Sequence, residues 1–166
     1  MASSTVSIII LSWNSGRHLP ICLIALSKQS FKDFNVILVD NNSTDNLADV
    51  LKDTSSDISL VLKKLDTNQG FAIANNIGAR FAKGEWIVLL NADAYPEPDW
   101  LEKLLKAAEQ NPQYNFFSSR QIAVSRDLIG RLQKELPETP FIRELFAGIR
   151  KMTNSEGMEI SLPDLK

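Results

Sequence analysis

The sequence predicts an α/β protein, a doubly wound and mostly parallel sheet that carries a helical extension at its carboxyl end. Three observations point there. Apolar runs at residues 6–11, 34–39 and 86–90 have the composition of strands covered on both faces by helices. Stretches with apolar residues at helical spacing, such as 19–27 and 99–108, separate and follow those runs. Each run also ends in polar, turn-forming residues, and in open α/β sheets ligands bind outside the carboxyl ends of the strands.

Size and charge bound the rest. With 166 residues the chain holds one domain with a real core and hardly two. Apolar residues make up 44% and charged residues 23%, ordinary for a soluble globular protein. A net charge of −2 gives no general attraction to nucleic acid or to an anionic membrane. Cys22 is the only cysteine, which excludes an internal disulfide and any Cys-rich metal site and suits a reducing, cytoplasmic setting. No apolar run approaches the ~20 residues a membrane helix needs. No basic region precedes Val6, so residues 6–11 read as a first strand and not as a signal peptide.

Taken in order, strand 6–11 ends in the polar turn Ser12-Trp13-Asn14-Ser15-Gly16. A helix follows over 19–27, with Leu19, Cys22, Leu23 and Leu26 on one face. His18, just ahead of it, reads as a solvated turn residue. The second strand, 34–40, ends at Asp40, which opens a cluster of turn and capping residues running to Asp45. Thr44 or Asp45 suits the cap of a short helix at 47–51. Asp40 itself need cap nothing. A third strand at 58–62 belongs near the sheet edge.

The helix 71–82 has small residues (Ala72, Ala74, Gly78, Ala79) that allow a close approach to the sheet or to a ligand. Asn75 and Asn76 are poor interior helix formers, by roughly 0.7 kcal/mol each, which suggests a use. The run 86–90 reads as the central strand. Just past it stand Asn91 and Asp93, where ligand chemistry is done in this class of fold. A single carboxylate there suits a hard cation that takes its other oxygens from water and substrate phosphates. A plain turn ahead of Pro96 is the alternative. Pro98 and Asp99 then start a helix whose buried face is Trp100, Leu101, Leu104, Leu105 and Ala108. A last strand is expected within 115–124.

Four motifs stand in order: Val-Ser-Ile-Ile-Ile-Leu-Ser-Trp-Asn ending at Asn14, Val-Asp-Asn-Asn-Ser-Thr-Asp ending at Asp45, Asn-Gln-Gly-Phe-Ala ending at Ala72 with Asn75-Asn76, and Leu-Leu-Asn-Ala-Asp ending at Asp93. Together they resemble the inverting glycosyltransferases of the second sequence family, which have the GT-A fold and include rhamnosyltransferases of cell-surface polysaccharide assembly. The resemblance covers about residues 5–122. It implies a donor that is a nucleoside-diphosphate sugar of the uridine or thymidine type, with Mg²⁺ or Mn²⁺ as cofactor. In that light Asp40 would accept a hydrogen bond from the pyrimidine ring, and Ser12, Asn14 and Asn42 would line the nucleoside. Gly70 and Asn76 would lie near the ribose and diphosphate. Asp93 matches the last carboxylate of the family's Asp-x-Asp element and would hold the metal, with Asn91 in the element's first position.

The motifs stop there. From Ser125 onward no counterpart of the family's acceptor half is legible, and no general base can be named. Residues 126–136 and 140–152 read instead as amphipathic helices, followed by a polar tail. The chain therefore divides at 1–124 and 125–166. Three readings follow: an active transferase using a saccharide or lipid-linked acceptor, a donor-binding half that transfers nothing, or a module whose 140–152 helix docks a partner or a second copy. The expected setting is cytoplasmic, with attachment to the inner membrane face as an option.

Overall fold

The computed structural model describes residues 5–16, 18–45, 47, 51 and 58–121. The chain divides into two units, Met1–Phe117 and Ser118–Lys166, and the elements described here belong to the first. They run β1 (Val6–Ser12), α1 (Leu19–Ser27), β2 (Phe34–Asp40), β3 (Leu60–Lys64), α2 (Gly70–Ala79), β4 (Trp86–Asn91) and α3 (Trp100–Gln110). The strands form one parallel sheet in the order β3-β2-β1-β4. This is the α/β class the sequence predicts. The 126–136 and 140–152 helices, the tail and most of the 47–51 helix lie outside the described residues; Leu47 and Leu51 are helical and Leu47 is buried.

Alternation along β1 and β2 builds two cores of unequal size. On one face Val6, Ile8, Ile10, Val36 and Leu38 pack with Leu19, Leu23 and Leu26 of α1 and Leu101 of α3. On the other, Ile9, Ile37 and Val39 meet Ala74 of α2. That helix comes close because it is small where it crosses the sheet. A Cβ on Gly78 would lie 2.7 Å from Ile9 Cγ2 and 2.9 Å from Val39 Cγ2, both methyls of buried β-branched residues. Gly78→Val should therefore lower stability by about 1–3 kcal/mol through overpacking, read as a fall in the urea midpoint. An unchanged midpoint would contradict this packing.

Two expectations are corrected. The run 86–90 is not a central strand buried on both faces. Among the described residues β4 is the outermost strand on its side of the sheet, paired with β1 only, and its burial alternates. Trp86, Val88 and Leu90 pack on the larger core, while Ile87 and Leu89 stay 50% and 56% exposed. The cause is that α2 lies over β1 and β2 and does not extend across β4. Nor do residues 115–121 form a strand. Phe116 is 94% exposed, and Phe117 meets Trp86 edge-to-face with ring centroids 6.3 Å apart. Residues 122–124 lie outside the described set. β3 does sit at the opposite edge, shifted two residues along from 58–62. No helix among the described residues is long and apolar enough to cross a membrane.

Candidate functional site

The parallel register brings three strand ends level. Ser12 pairs with Asp40 and Leu11 with Asn91, so the loops after β1, β2 and β4 leave the same sheet edge. Backbone bonds knit them further: Asn41 N–H donates to Ser12 O at 2.8 Å, and Leu65 N–H to Asp40 O at 2.8 Å.

Side chains supply the rest. Asn14 and Asn42 have φ of 53° and 64°, a left-handed conformation that asparagine tolerates better than most residues. Asn14 Oδ1 accepts the Thr44 N–H at 2.8 Å, and the Asn14 N–H donates to Ser43 Oγ at 3.0 Å. The Gly16 N–H donates to Asp45 Oδ2 at 2.7 Å. Asn41, buried, reaches the loop ahead of α2: its Oδ1 accepts the Gln69 N–H at 2.8 Å and its Nδ2 donates to Asn68 Oδ1 at 2.9 Å. Gly70 begins α2 with φ +73°, and its N–H donates to Asn68 Oδ1 at 2.8 Å.

Of the residues singled out from the sequence, Ser12, Asn14, Asp40, Asn42 and Gly70 thus fall in one linked group of loops. Asp40 is 3% exposed, and contrary to expectation it does cap a turn: its Oδ1 accepts the Ser43 N–H at 2.8 Å. Its second oxygen accepts no hydrogen bond from the described residues. Ser12 departs from its expected part as well, because its side chain is fully buried and its hydroxyl has no partner among the described residues. It serves the site through its carbonyl. Asn42 is exposed. Asn76 lies on the exposed side of α2 and makes none of the bonds that join the loops, whereas Asn75 is buried and donates back to Phe71 O at 2.9 Å. Sequence reasoning overlooked Asn41 as the loop tie, and it passed over Trp13, 57% exposed beside Asn14.

Asn91 and Asp93 are exposed at this edge, Asn91 on the Ile87 and Leu89 face of β4. They do make a turn, with the Ala94 N–H donating to Asn91 O at 3.0 Å. The Cys22 thiol points at the same carbonyl, 3.7 Å away. His18 is no solvated turn residue: it is half-buried, and its Nδ1 lies 2.9 Å from the Tyr95 hydroxyl. Burial pushes the Cys22 thiol up to about 12, with the Asp93 carboxylate adding to the shift. The Tyr95 hydroxyl is pushed up by burial, then by Asp93 and Cys22. Both shifts put the Asp93 charge against this cluster. Cys22 should accordingly label with a disulfide reagent at pH 8 only as fast as the chain unfolds. Rapid labelling in native buffer would contradict its burial.

Among the described residues no three His, Cys, Asp or Glu side chains form a metal cage. A lone exposed carboxylate beside an amide oxygen fits a hard cation that brings waters and phosphate oxygens with it. Asp93, with Asn91 beside it, would hold such an ion.

The glycosyl transferase family 2 model matches residues 7–160. The chain belongs to glycosyl transferase family 2. The match continues past Ile122, where the resemblance read from the sequence stops. An uncharacterized glycosyltransferase of Haemophilus influenzae is 37% identical over 111 residues, which are 67% of this chain and 37% of that relative. Among solved structures, Staphylococcus aureus TarS 1–349 in complex with UDP-GlcNAc superposes with a TM-score of 0.57 at 25% identity, over 72% of this family 2 chain and 37% of TarS 1–349. Mannosyltransferase PcManGT of Pyrobaculum calidifontis, in complex with GDP-Man and Mn²⁺, gives 0.60 at 26%, over 65% and 33%. This family 2 chain thus spans well under half the length of those relatives.

Proposed function

We propose that this chain is the donor-binding part of an inverting, rhamnosyltransferase-like enzyme of surface-polysaccharide assembly. It takes a uridine- or thymidine-type nucleoside-diphosphate sugar with Mg²⁺ or Mn²⁺. The observation that carries the reading is the placement of Asp40 and Asp93 at the ends of β2 and β4, on one sheet edge whose loops are tied together. Asp40 supplies an acceptor for the ring N–H of uracil or thymine through its free oxygen. Asn14, Asn42 and Gly70 shape the nucleoside and diphosphate side, and the exposed Trp13 offers a ring face there. Asp93 and Asn91 hold the cation, which when bound supplies positive charge to the leaving diphosphate. Solved relatives bound to UDP-GlcNAc and to GDP-Man with Mn²⁺ support a nucleoside-diphosphate sugar and a metal, and the first of them is of the pyrimidine type.

Losing a hydrogen bond to a charged acceptor costs about 1.5–3 kcal/mol. Asp40→Ala should therefore weaken uridine or thymidine diphosphate binding by roughly tenfold or more. Equal wild-type affinity for guanosine and uridine diphosphates would rule the Asp40 role out. The inverting course is tested by the anomeric configuration of the product, read by NMR.

A second reading, a donor-binding module that transfers no sugar by itself, is favoured by one further observation. Ile87 and Leu89 of β4 are half exposed, and β4, which no described strand pairs on its far side, lacks the charge or proline that usually protects an edge. On this reading the acceptor platform and general base lie beyond the donor half, and residues 125–166 supply a docking segment for a partner or second copy.

A further inference from the structure

The loop that carries Asp93 is held from one side only. Past its strand pairing with β1, the ties between it and the rest of the described residues run to α1 or to the turn that follows α1. The Cys22 thiol meets Asn91 O, and Ala92 is buried in the core formed by Leu19, Cys22 and Leu23. Farther along, Gln29 Nε2 donates to Glu97 O at 2.7 Å, and the Ser30 N–H donates to Pro98 O at 2.7 Å. Gln29 Oε1 accepts the Leu101 N–H at 3.0 Å, which fixes the start of α3 to the same place. Between these anchors lies the His18–Tyr95 contact at 2.9 Å, two residues from Asp93. Among the described residues it is the one side-chain bond in this stretch that reaches the amino end of α1. His18 is the N-cap residue of that helix but makes no side-chain capping bond, so its ring is committed to Tyr95.

Resting on the assignment of Asp93 as metal ligand, we propose that the His18–Tyr95 pair is a positioning tether. It pins the Asp93 turn to the amino end of α1 and thereby sets how well this carboxylate holds a divalent cation on a bound diphosphate. Asp93 is the single charged ligand proposed here and stands on an exposed turn, so its placement depends on the backbone beneath it. The pair supplies a side-chain tie between two fixed points, since Ala92 is buried on one side, while on the other Pro96 is buried and Glu97 is tied. Neither His18 nor Tyr95 touches the cation or the donor in this role.

The test uses the full chain and Mn²⁺, whose free and bound forms are counted by electron paramagnetic resonance at saturating uridine diphosphate. Tyr95→Phe removes one oxygen, and His18→Phe keeps a ring without nitrogen. Each should weaken Mn²⁺ binding about tenfold, the scale on which partners outside the ligand shell act on metal affinity. The affinity for uridine diphosphate without metal should stay unchanged. The amide of Ala94, bonded to Asn91 O, should exchange faster in both variants. The double variant should be no weaker than either single one, because both remove the same bond. His18→Asn, which keeps a polar atom near the Nδ1 position, should restore most of the binding. Unchanged Mn²⁺ affinity and Ala94 exchange in the two single variants would overturn the tether alone. Additive losses, or His18→Asn behaving as His18→Phe does, would overturn it equally. Failure of the wild type to bind Mn²⁺ at all would overturn the metal assignment and the tether together.

Discussion

Given Mn²⁺, a uridine or thymidine diphosphate sugar and a pool of saccharide or lipid-linked acceptors, this chain alone should transfer sugar at least ~10²–10⁴-fold more slowly than an ordinary transferase. The lower bound is what a missing general base costs. Loss of acceptor positioning adds to it, since orientation can contribute about 7 kcal/mol or more to a bimolecular step. On the proposed reading the linked loops at the sheet edge would serve the nucleotide, the diphosphate and the cation, which are ground-state and leaving-group functions. Beyond them stands β4 with Ile87 and Leu89 exposed, and the matched part of this chain is only 37% of the Haemophilus influenzae relative. Water needs no acceptor site, so slow hydrolysis of the donor is compatible with this picture. Acceptor-dependent release of nucleoside diphosphate at about 1 s⁻¹ or faster would refute it and favour a complete enzyme.

Asp93→Asn should leave the fold intact and cut Mn²⁺ affinity in the presence of uridine diphosphate by at least about a hundredfold. Residues outside the ligand shell commonly cost ~10–100-fold, and the only charged protein ligand should exceed them. The substitution keeps shape and one oxygen but removes the charge a hard cation needs. No other carboxylate among the described residues is grouped to replace it. Binding of the nucleotide without metal should be nearly unaffected, because Asp40, Asn14 and Gly70 belong to the separately tied loops. Mn²⁺ dependence that survives this change would place the cation elsewhere.

Much of this was legible from residues alone. The ends of β1, β2 and β4 could be placed because each apolar run stops at polar residues, and a parallel sheet aligns such ends. The exposure of β4 could not. Trp86-Ile-Val-Leu-Leu90 has the composition of a doubly covered strand, and composition does not reveal how far a neighbouring helix extends. Within the 40–45 cluster, Asn41 and Asn42 were indistinguishable until the left-handed turn at Asn42 sent one inward and left the other exposed. Ser12 looked like a ligand contact because it ends a strand, yet the pleat turns its side chain into the core. The His18–Tyr95 pair joins residues 77 positions apart, and no local pattern announces such a contact. Gly78 was readable in kind, as a small residue on a helix, while the two methyls that require it belong to β1 and β2.

The central claim is that one sheet edge, with Asp40 and Asp93 on it, binds a pyrimidine nucleoside diphosphate together with a divalent cation. Calorimetric titration of uridine, thymidine and guanosine diphosphates into the chain, with Mn²⁺ and again with chelator, tests it most directly. Mn²⁺ should tighten uridine or thymidine diphosphate binding by about tenfold or more, and by linkage the nucleotide should tighten Mn²⁺ binding by the same factor. Guanosine diphosphate should bind more weakly under both conditions. Equal affinities with Mn²⁺ and with chelator, or no binding of any of the three at millimolar concentration, would contradict it.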